Sequence, residues 1–352
     1  MDNGQMDTAL INDIKFNCDV SDARYWGYFS ICGLLMRYRD LYRSEQGLKP
    51  WTDIRRDEIA AWIEKKEARW PELEEKEFKH LTIEGKHYHP INDVETINQL
   101  LEPSGLIYGA GYGMYMKPTF FLADRQSTRS IANLTIHTSD GEHVRDLFTA
   151  PAMLQGENIF LRLEPLLILL VYKFSELNTR RITALEDAFS QYGFQGQQII
   201  DDTFERRMAD MAVRYAETLL LHEVAEYREN IPDWYEILMT AEDRKIELYL
   251  RALKDLIADT SNHGPYRHII GTRDRAALGL SIALPEGYRR ELFPEIKTAH
   301  AVFLQTENWE MLEETRVKGY ERFIAERDRV VELFRANKED FSRKLREHID
   351  VR

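Results

Sequence analysis

The stretch LLLHEVAEYREN, residues 219–230, holds the side chains in this sequence whose types and spacing have the clearest chemical meaning. It places His222, Glu223 and Glu226 in the order His-Glu-x-x-Glu, one position away from the His-Glu-x-x-His signature of zinc proteases. On a helix, residues four apart project about 40° from one another, so an imidazole and a carboxylate at this spacing can bind one ion. We therefore predict His222 and Glu226 as metal ligands and Glu223 as the carboxylate that transfers protons.

The same helix also allows an interpretation without a metal. His222 and Glu226 lie opposite an apolar face, where solvated charges belong. That face consists of Val213, Ala216, Leu220, Val224, Tyr227 and Ile231. A second apolar group shares the side of His222, and a helix that is apolar on both sides is often buried on both. This group is Met208, Met211, Tyr215 and Leu219. The sequence leaves both interpretations open.

A second stretch, DLIADTSNHGPYRH at residues 255–268, supplies further candidate ligands. Asp255, Asp259 and His263 are spaced by four and would lie within an arc of about 80° on one helix. Of these we predict Asp259 and His263 as the remaining metal ligands. Imidazole and carboxylate donors suit Zn, Fe or Mn better than a soft metal. The alternative is a capped, polar helix end whose acids pair with Arg267 or Arg273.

Other groups of residues carry weaker signals. Gly109, Gly111 and Gly113 lack the Gly-x-Gly-x-x-Gly spacing and a following helix, so they indicate a closely packed strand rather than a phosphate loop. His87 and His89 could share one side of a strand, but this spacing is also common in exposed loops. No Gly-x-Ser-x-Gly elbow, Walker loop or paired Cys-x-x-Cys motif occurs in the sequence.

The elements that must position these residues are mostly helical. Apolar periodicity predicts helices over about 202–229, 233–263, 272–282 and most of 307–349. Between about 106 and 150, β-branched and aromatic residues predict three antiparallel strands, and Asp140-Gly141 is the best hairpin signal there. The predicted fold class is mainly α (α+β), with helical bundle-like domains and one small antiparallel β meander around residues 106–150.

The length of 352 residues suggests two domains at about 150 residues per domain. The stretch GFQGQQIID, residues 193–201, is the best candidate boundary because it is rich in glycine and glutamine. We therefore predict an N-terminal α+β domain over 1–195 and an all-helical C-terminal domain over 196–352.

Composition limits the possible partners. The formal net charge of -13 argues against nucleic-acid binding and against an anchor on anionic lipid. Two cysteines are too few to staple a chain of this length, and the acidic N-terminus is not a signal peptide. The longest apolar run, Leu166 to Tyr172, is far shorter than the roughly 20 residues that a bilayer requires. A cytoplasmic location follows as the expectation.

These observations predict a soluble cytoplasmic protein with a His/carboxylate site on two helices. The expected activity is that of a metal-dependent hydrolase or, second, an oxidoreductase. The alternative is a non-enzymatic interaction or regulatory protein that acts through its acidic surface and its long C-terminal helix. We also predict a homodimer, because the apolar stripe from Leu312 to Leu345 would span roughly 50 Å as one helix and extend beyond a compact core.

Overall fold

The structure is a computed structural model of the chain and describes residues 8–194, 199–241, 243–336 and 338–350. The chain forms two compact units, Met1–Tyr172 and Lys173–Arg352. The predicted domain boundary between residues 195 and 196 lies outside the described residues.

The first unit contains both helices and strands. Its helices are α1 (Thr8–Tyr25), α2 (Ile31–Glu45), α3 (Arg56–Glu67), α4 (Trp70–Leu73), α5 (Val94–Leu101) and α6 (Leu163–Glu176), which continues into the second unit. Its strands are β1 (Leu81–Ile83), β2 (Lys86–Tyr88), β3 (Leu106–Tyr112), β4 (Pro118–Ile131), β5 (Leu134–Arg145), β6 (Ala152–Gln155) and β7 (Asn158–Arg162). Short 3-10 helices occupy Trp26–Tyr28, Glu102–Ser104 and Met114–Met116.

Five of the strands form one mixed sheet in the order β3, β4, β5, β7, β6, while β1 and β2 form a separate antiparallel pair. The consecutive strands β3, β4 and β5 pair antiparallel, as predicted for the segment around residues 106–150. β7 then pairs parallel with β5 and antiparallel with β6. The sheet is therefore mixed and extends beyond the predicted meander.

The predicted hairpin turn at Asp140-Gly141 is wrong. These residues lie within β5, and Ala132 and Asn133 instead form the turn between β4 and β5. Asp140 and Glu142 pair with adjacent residues of β4, so Gly141, at φ 63°, is the extra residue of a bulge. Bulges and tight turns both use glycine at positive φ, so an Asp-Gly pair does not by itself distinguish them.

The core of the first unit lies between α1 and the sheet. Leu10, Ile14 and Cys18 recur every fourth residue on α1 and are buried against β4 and its neighbours. The glycines of β3 are closely packed, as predicted: a Cβ on Gly109 would lie 2.0 Å from the ring of Phe121. Backbone and aromatic side chains therefore fill this part of the sheet.

A cluster of buried charges lies beside this core. Lys117 Nζ is 3.2 Å from Asp22 Oδ1 and 3.1 Å from Asp146 Oδ2, and it donates to Ser21 Oγ at 2.7 Å. Burial raises the pKa of Asp22 to about 6, although Lys117 acts in the opposite direction. Lys117 therefore offsets two carboxylates that would otherwise repel each other.

The described residues of the second unit form helices joined by turns and loops, with no strand among them. Its helices are α7 (Thr183–Ser190), α8 (Asp202–Arg228), α9 (Trp234–Met239), α10 (Arg244–Thr260), α11 (Pro265–Thr272), α12 (Arg275–Ala283), α13 (Gly287–Leu292), α14 (Pro294–Thr306), α15 (Trp309–Ala336) and α16 (Phe341–Asp350). The predicted class, mainly α with a β component, is confirmed. Among the described residues of both units, no helix combines the length and apolar composition that a bilayer crossing requires.

The C-terminal segment does not form one overhanging helix. It is divided into α15 and α16, and α15 packs against α10, α11 and α14. Most large side chains of the predicted stripe are buried: Leu312, Phe323, Val330, Phe334, Phe341 and Leu345. The observed packing removes the reason for placing a dimer interface on this segment. The homodimer itself stays a prediction.

Candidate metal centre

The predicted site residues lie on α8 and α10, which pack against each other in the second unit. α8 begins after Asp201, whose carboxylate accepts two backbone N–H groups of the first turn, and α10 begins after Asp243, which accepts the N–H of Ile246. Such capping satisfies donors that a helix start leaves free. α8 matches the predicted helix closely, whereas the predicted 233–263 helix is divided into α9 and α10.

α8 is buried on two sides, which places His222 between helices. Met208 and Met211, on the side of His222, are fully buried, and so is Leu220 on the other side. Val213, predicted to face the core, is 53% exposed instead. The side chain of His222 is 13% exposed. The observed packing therefore agrees with the expectation from the second apolar group that both sides of this helix are buried, and it does not leave His222 on a solvated face.

Both ring nitrogens of His222 face carboxylates. Nδ1 lies 2.7 Å from Asp259 Oδ1 on α10, and Nε2 lies 3.8 Å from Glu226 Oε2 one turn further along α8. The first distance is that of a strong charge-assisted hydrogen bond, and the second leaves room between the two atoms. Asp259 therefore orients the imidazole so that Nε2 points towards Glu226.

A third carboxylate completes a group of possible ligands. One atom each from His222, Glu226 and Asp255 lie within 4.8 Å of one another. Such a set, one imidazole nitrogen with two carboxylate oxygens, is suited to Zn or to a harder divalent ion. Asp255 stands one helical turn before Asp259 and belongs to the predicted stretch of candidate ligands, but it is not among the four predicted metal ligands. The structure thus brings Asp255 into the cluster and places Asp259 behind the imidazole.

Two basic side chains neutralise part of this acidic cluster. Lys254 Nζ donates to Glu226 Oε1 at 2.6 Å. Arg289 of α13 donates to Asp259 Oδ2 at 2.6 Å and lies 3.4 Å from Asp255 Oδ2. Both oxygens of Asp259 are thus engaged, which makes it a poor metal ligand. No local pattern in the sequence indicates Arg289, because only the packing of α13 on α10 brings it to the cluster.

These contacts fix the charges of the central pair. Burial alone disfavours a charged imidazole, but Asp259 outweighs it and raises the pKa of His222 to about 10. Burial likewise opposes ionisation of Asp259, yet Arg289 and His222 hold its pKa at about 2. A metal ion at Nε2 must therefore displace a proton, and its affinity has to rise with pH.

Glu223, the predicted proton-transfer residue, is buried next to His222 in the chain. Burial, together with the carboxylate of Glu226, raises the pKa of Glu223 to about 7. Its neighbour Glu226 has the opposite shift, because Lys254 overcomes the effect of burial and lowers the pKa of that carboxyl. Glu223 can therefore hold or release a proton near neutral pH.

His263 is not brought to the cluster. α10 ends at Thr260, so His263 lies in the following turn, where it is exposed and its Nδ1 accepts from Arg228 at 3.1 Å. The assumption that residues 255–263 share one helix therefore fails at its last member. His87 and His89, in the first unit, make local contacts: His87 with Thr82, and His89 with backbone N–H groups just after it.

Comparison with known proteins gives a family and no activity. No curated protein and no solved structure matches the sequence. Residues 9–162 match the N-terminal domain, and residues 168–352 the C-terminal domain, of a family of unknown function termed DUF6866. The two matches together span nearly the whole chain, so the protein belongs to the DUF6866 family.

Proposed function

We propose that this protein binds a divalent metal ion through His222, Glu226 and Asp255, and that it is a metal-dependent hydrolase. The observation that carries the proposal is the asymmetric environment of His222. Its Nδ1 is held by Asp259, while its Nε2 faces Glu226, and the imidazole lies within one group of possible ligands with the carboxylates of Glu226 and Asp255. In metal-binding histidines, the ring N–H that does not face the metal commonly donates a hydrogen bond to a carboxylate. This hydrogen bond fixes the orientation of the ring and raises the basicity of the nitrogen that binds the metal.

The distances between the ligand atoms show how far the side chains must move to bind an ion. Ligand atoms about 2.1 Å from one ion lie about 3.4 Å apart in tetrahedral geometry. The three ligand atoms, all within 4.8 Å of one another, need small side-chain movements to reach that arrangement. Glu226 already uses Oε1 for Lys254 and directs Oε2 towards His222. Zn, Fe and Mn all fit this donor set.

The remaining residues have separate roles in the proposed reaction. When bound, a divalent ion acidifies water and polarises the bond that is to be cleaved. Glu223 accepts the proton released from water and returns it to the leaving group. Arg289 keeps Asp259 ionised and thereby keeps the His222 ring oriented. Oxidoreductase chemistry at the same ligands is the second candidate activity.

Metal analysis of the purified native protein, combined with titration of Zn²⁺ and Mn²⁺ by calorimetry, tests the binding. We expect about one ion per chain and its loss in His222→Ala, Glu226→Gln and Asp255→Asn. Asp259→Asn should keep the site and weaken affinity by about 10–100-fold, as expected for a residue that orients a ligand.

His263→Ala is the matched control, because it removes an exposed histidine that the structure keeps away from the cluster. It should bind the ion as the native chain does. Equal loss in His263→Ala and His222→Ala would contradict the ligand set, and absence of any stoichiometric ion would contradict the site itself.

The hydrolytic step requires a separate measurement. A panel of activated carboxylic and phosphoric esters should show turnover that a chelator abolishes. In Glu223→Gln the ion should stay bound while turnover falls about 10²–10⁴-fold, the usual contribution of a general base. Turnover that is unchanged in this variant excludes Glu223 as the base.

A further inference from the structure

Several large apolar side chains close together in the chain are exposed on the first unit. It consists of Trp26, Tyr28, Ile31, Leu35 and Met36, which we term the α2 patch. Ile31 is 80% exposed, and the other four are 44–48% exposed. Exposed apolar residues are ordinary when scattered, but five within eleven positions of the chain mark a binding surface.

The geometry of α2 places these residues on one surface. Ile31 and Leu35 are four apart and lie about 40° from each other around the helix, and Met36 lies about 100° beyond Leu35, so the three share an arc of about 140°. Leu34, Tyr38 and Leu41 lie on the adjoining side of the helix and are buried. The short 3-10 helix Trp26–Tyr28 continues the surface at the start of α2, where Trp26 is stacked on Trp70. The patch is therefore held on a fixed scaffold.

We propose that the α2 patch is the interface of a symmetric homodimer, in which it packs against the same patch of a second copy of this chain. At about half exposure, five side chains of this size present on the order of 500 Å². Two such patches bury roughly 1,000 Å² together, which is the lower limit for a specific interface. Trp, Tyr and Met are also the residue types enriched in interface cores.

Charge favours a second copy over a lipid surface. The five patch residues carry no charge, so two copies can meet there without like charges in contact. A membrane surface would have to attract a chain with a net charge of -13, which anionic lipids repel. The interface lies on the first unit and is independent of the metal proposal.

Sedimentation velocity of the full chain at micromolar concentration tests the inference. We expect a dimer for the native protein and a monomer for Ile31→Glu/Leu35→Glu, with a dissociation constant raised about 30-fold or more, as for hot-spot residues. Because both side chains are exposed, the variant should fold normally, which circular dichroism checks. Val213→Glu/Val302→Glu changes two exposed valines of the second unit and should remain dimeric.

Three outcomes would overturn the inference. They are a monomeric native chain, a patch variant that stays dimeric, and equal dissociation of the patch variant and the valine control. Flotation with phosphatidylcholine vesicles, with and without phosphatidylserine, covers the lipid alternative. A native monomer that floats with vesicles and loses this property in Ile31→Glu/Leu35→Glu assigns the patch to membranes instead.

Discussion

His222 has carboxylates at both ring nitrogens, one at hydrogen-bond distance and the other farther away. A histidine with only a structural role in the core does not need several carboxylates around its ring. Here Asp259 engages Nδ1, Nε2 is directed at Glu226, and Asp255 lies in the same group of possible ligands. A cluster of three acids near one imidazole is costly unless cations offset the negative charge. Lys254 and Arg289 provide that offset, and a divalent ion would add to it.

A buried histidine outside the candidate site gives a clear pH prediction. His300 on α14 is 3% exposed, and its Nε2 has no hydrogen-bond partner among the described residues. Burial lowers its pKa, so the folded chain resists protonation while the unfolded chain is protonated below about pH 6.5. The unfolded state then binds more protons, and the native protein must lose stability as the pH falls below that value.

We expect His300→Phe to remove this loss of stability at low pH. The variant also lacks the unsatisfied buried nitrogen, which should raise the free energy of unfolding by about 1–3 kcal/mol. Urea unfolding at pH 7.5 and 5.5 measures the free energy of unfolding of both chains. The variant should be more stable than the native chain, and this difference should be larger at pH 5.5. His268→Phe is the control, because His268 is exposed. The difference in stability between this variant and the native chain should not become larger at pH 5.5. An advantage of His300→Phe that is equal at both pH values would contradict the assignment.

At the scale of elements, the sequence predicts the residues of the site that meet on a single helix, α8. His222 and Glu226 meet because they are four apart on α8, and local geometry suffices to predict that. The choice between Asp255 and His263 depends on where α10 ends, and this end is set by Ser261–Gly264 and by the start of α11. Periodicity alone extends the helix past Thr260 and so predicts that His263 lies on the same face as Asp255 and Asp259.

Tertiary contacts explain the remaining differences. Arg289 joins the site only because α13 packs on α10, and nothing near it in the sequence indicates this. The turn dipeptide Asp140-Gly141 was assigned to a hairpin, whereas the strands continue through it as a bulge and turn at Ala132 and Asn133. Strong local signals thus identified the element types, while ends, turns and partners depend on packing that a single sequence does not display.

The junction between α10 and α11 gives the prediction at this scale. Gly264 lies under the end of α10, where an added Cβ would be 2.0 Å from the carbonyl oxygen of Ala258 and 2.7 Å from that of Asp259. Both atoms are backbone and cannot move aside. Gly264→Ala should therefore destabilise the second unit by about 1–3 kcal/mol or more in urea unfolding.

Gly271, within α11, is the matched control because a Cβ there meets nothing within 4 Å. Gly271→Ala should stabilise by about 0.5–1 kcal/mol, since alanine favours the helix. Destabilisation by both changes would indicate that α11 tolerates no alanine at all, and a neutral Gly264→Ala would show that the close approach is absent.

At the scale of the whole molecule, the division of the structure into compact units and the division of the family into two domains fall close together in the chain. The compact units separate after Tyr172, and the family's two domains separate between residues 162 and 168, so both divisions fall within α6. Each unit has its own buried set of residues. Lys117 with Asp22 and Asp146 belongs to the first, and α15 with α16 completes the second. Domains with separate cores generally fold as units.

We therefore expect two thermal transitions in calorimetry, each sensitive to changes in one unit. Lys117→Met leaves Asp22 and Asp146 buried without their cation and should destabilise the first unit by about 3–5 kcal/mol. Leu345→Ala removes a fully buried side chain of α16 and should cost the second unit about 2–5 kcal/mol. At roughly 2–4 °C per kcal/mol for units of this size, each change should lower one transition by about 10 °C and leave the other in place. A single transition that both substitutions lower would show instead that the two units unfold as one cooperative body.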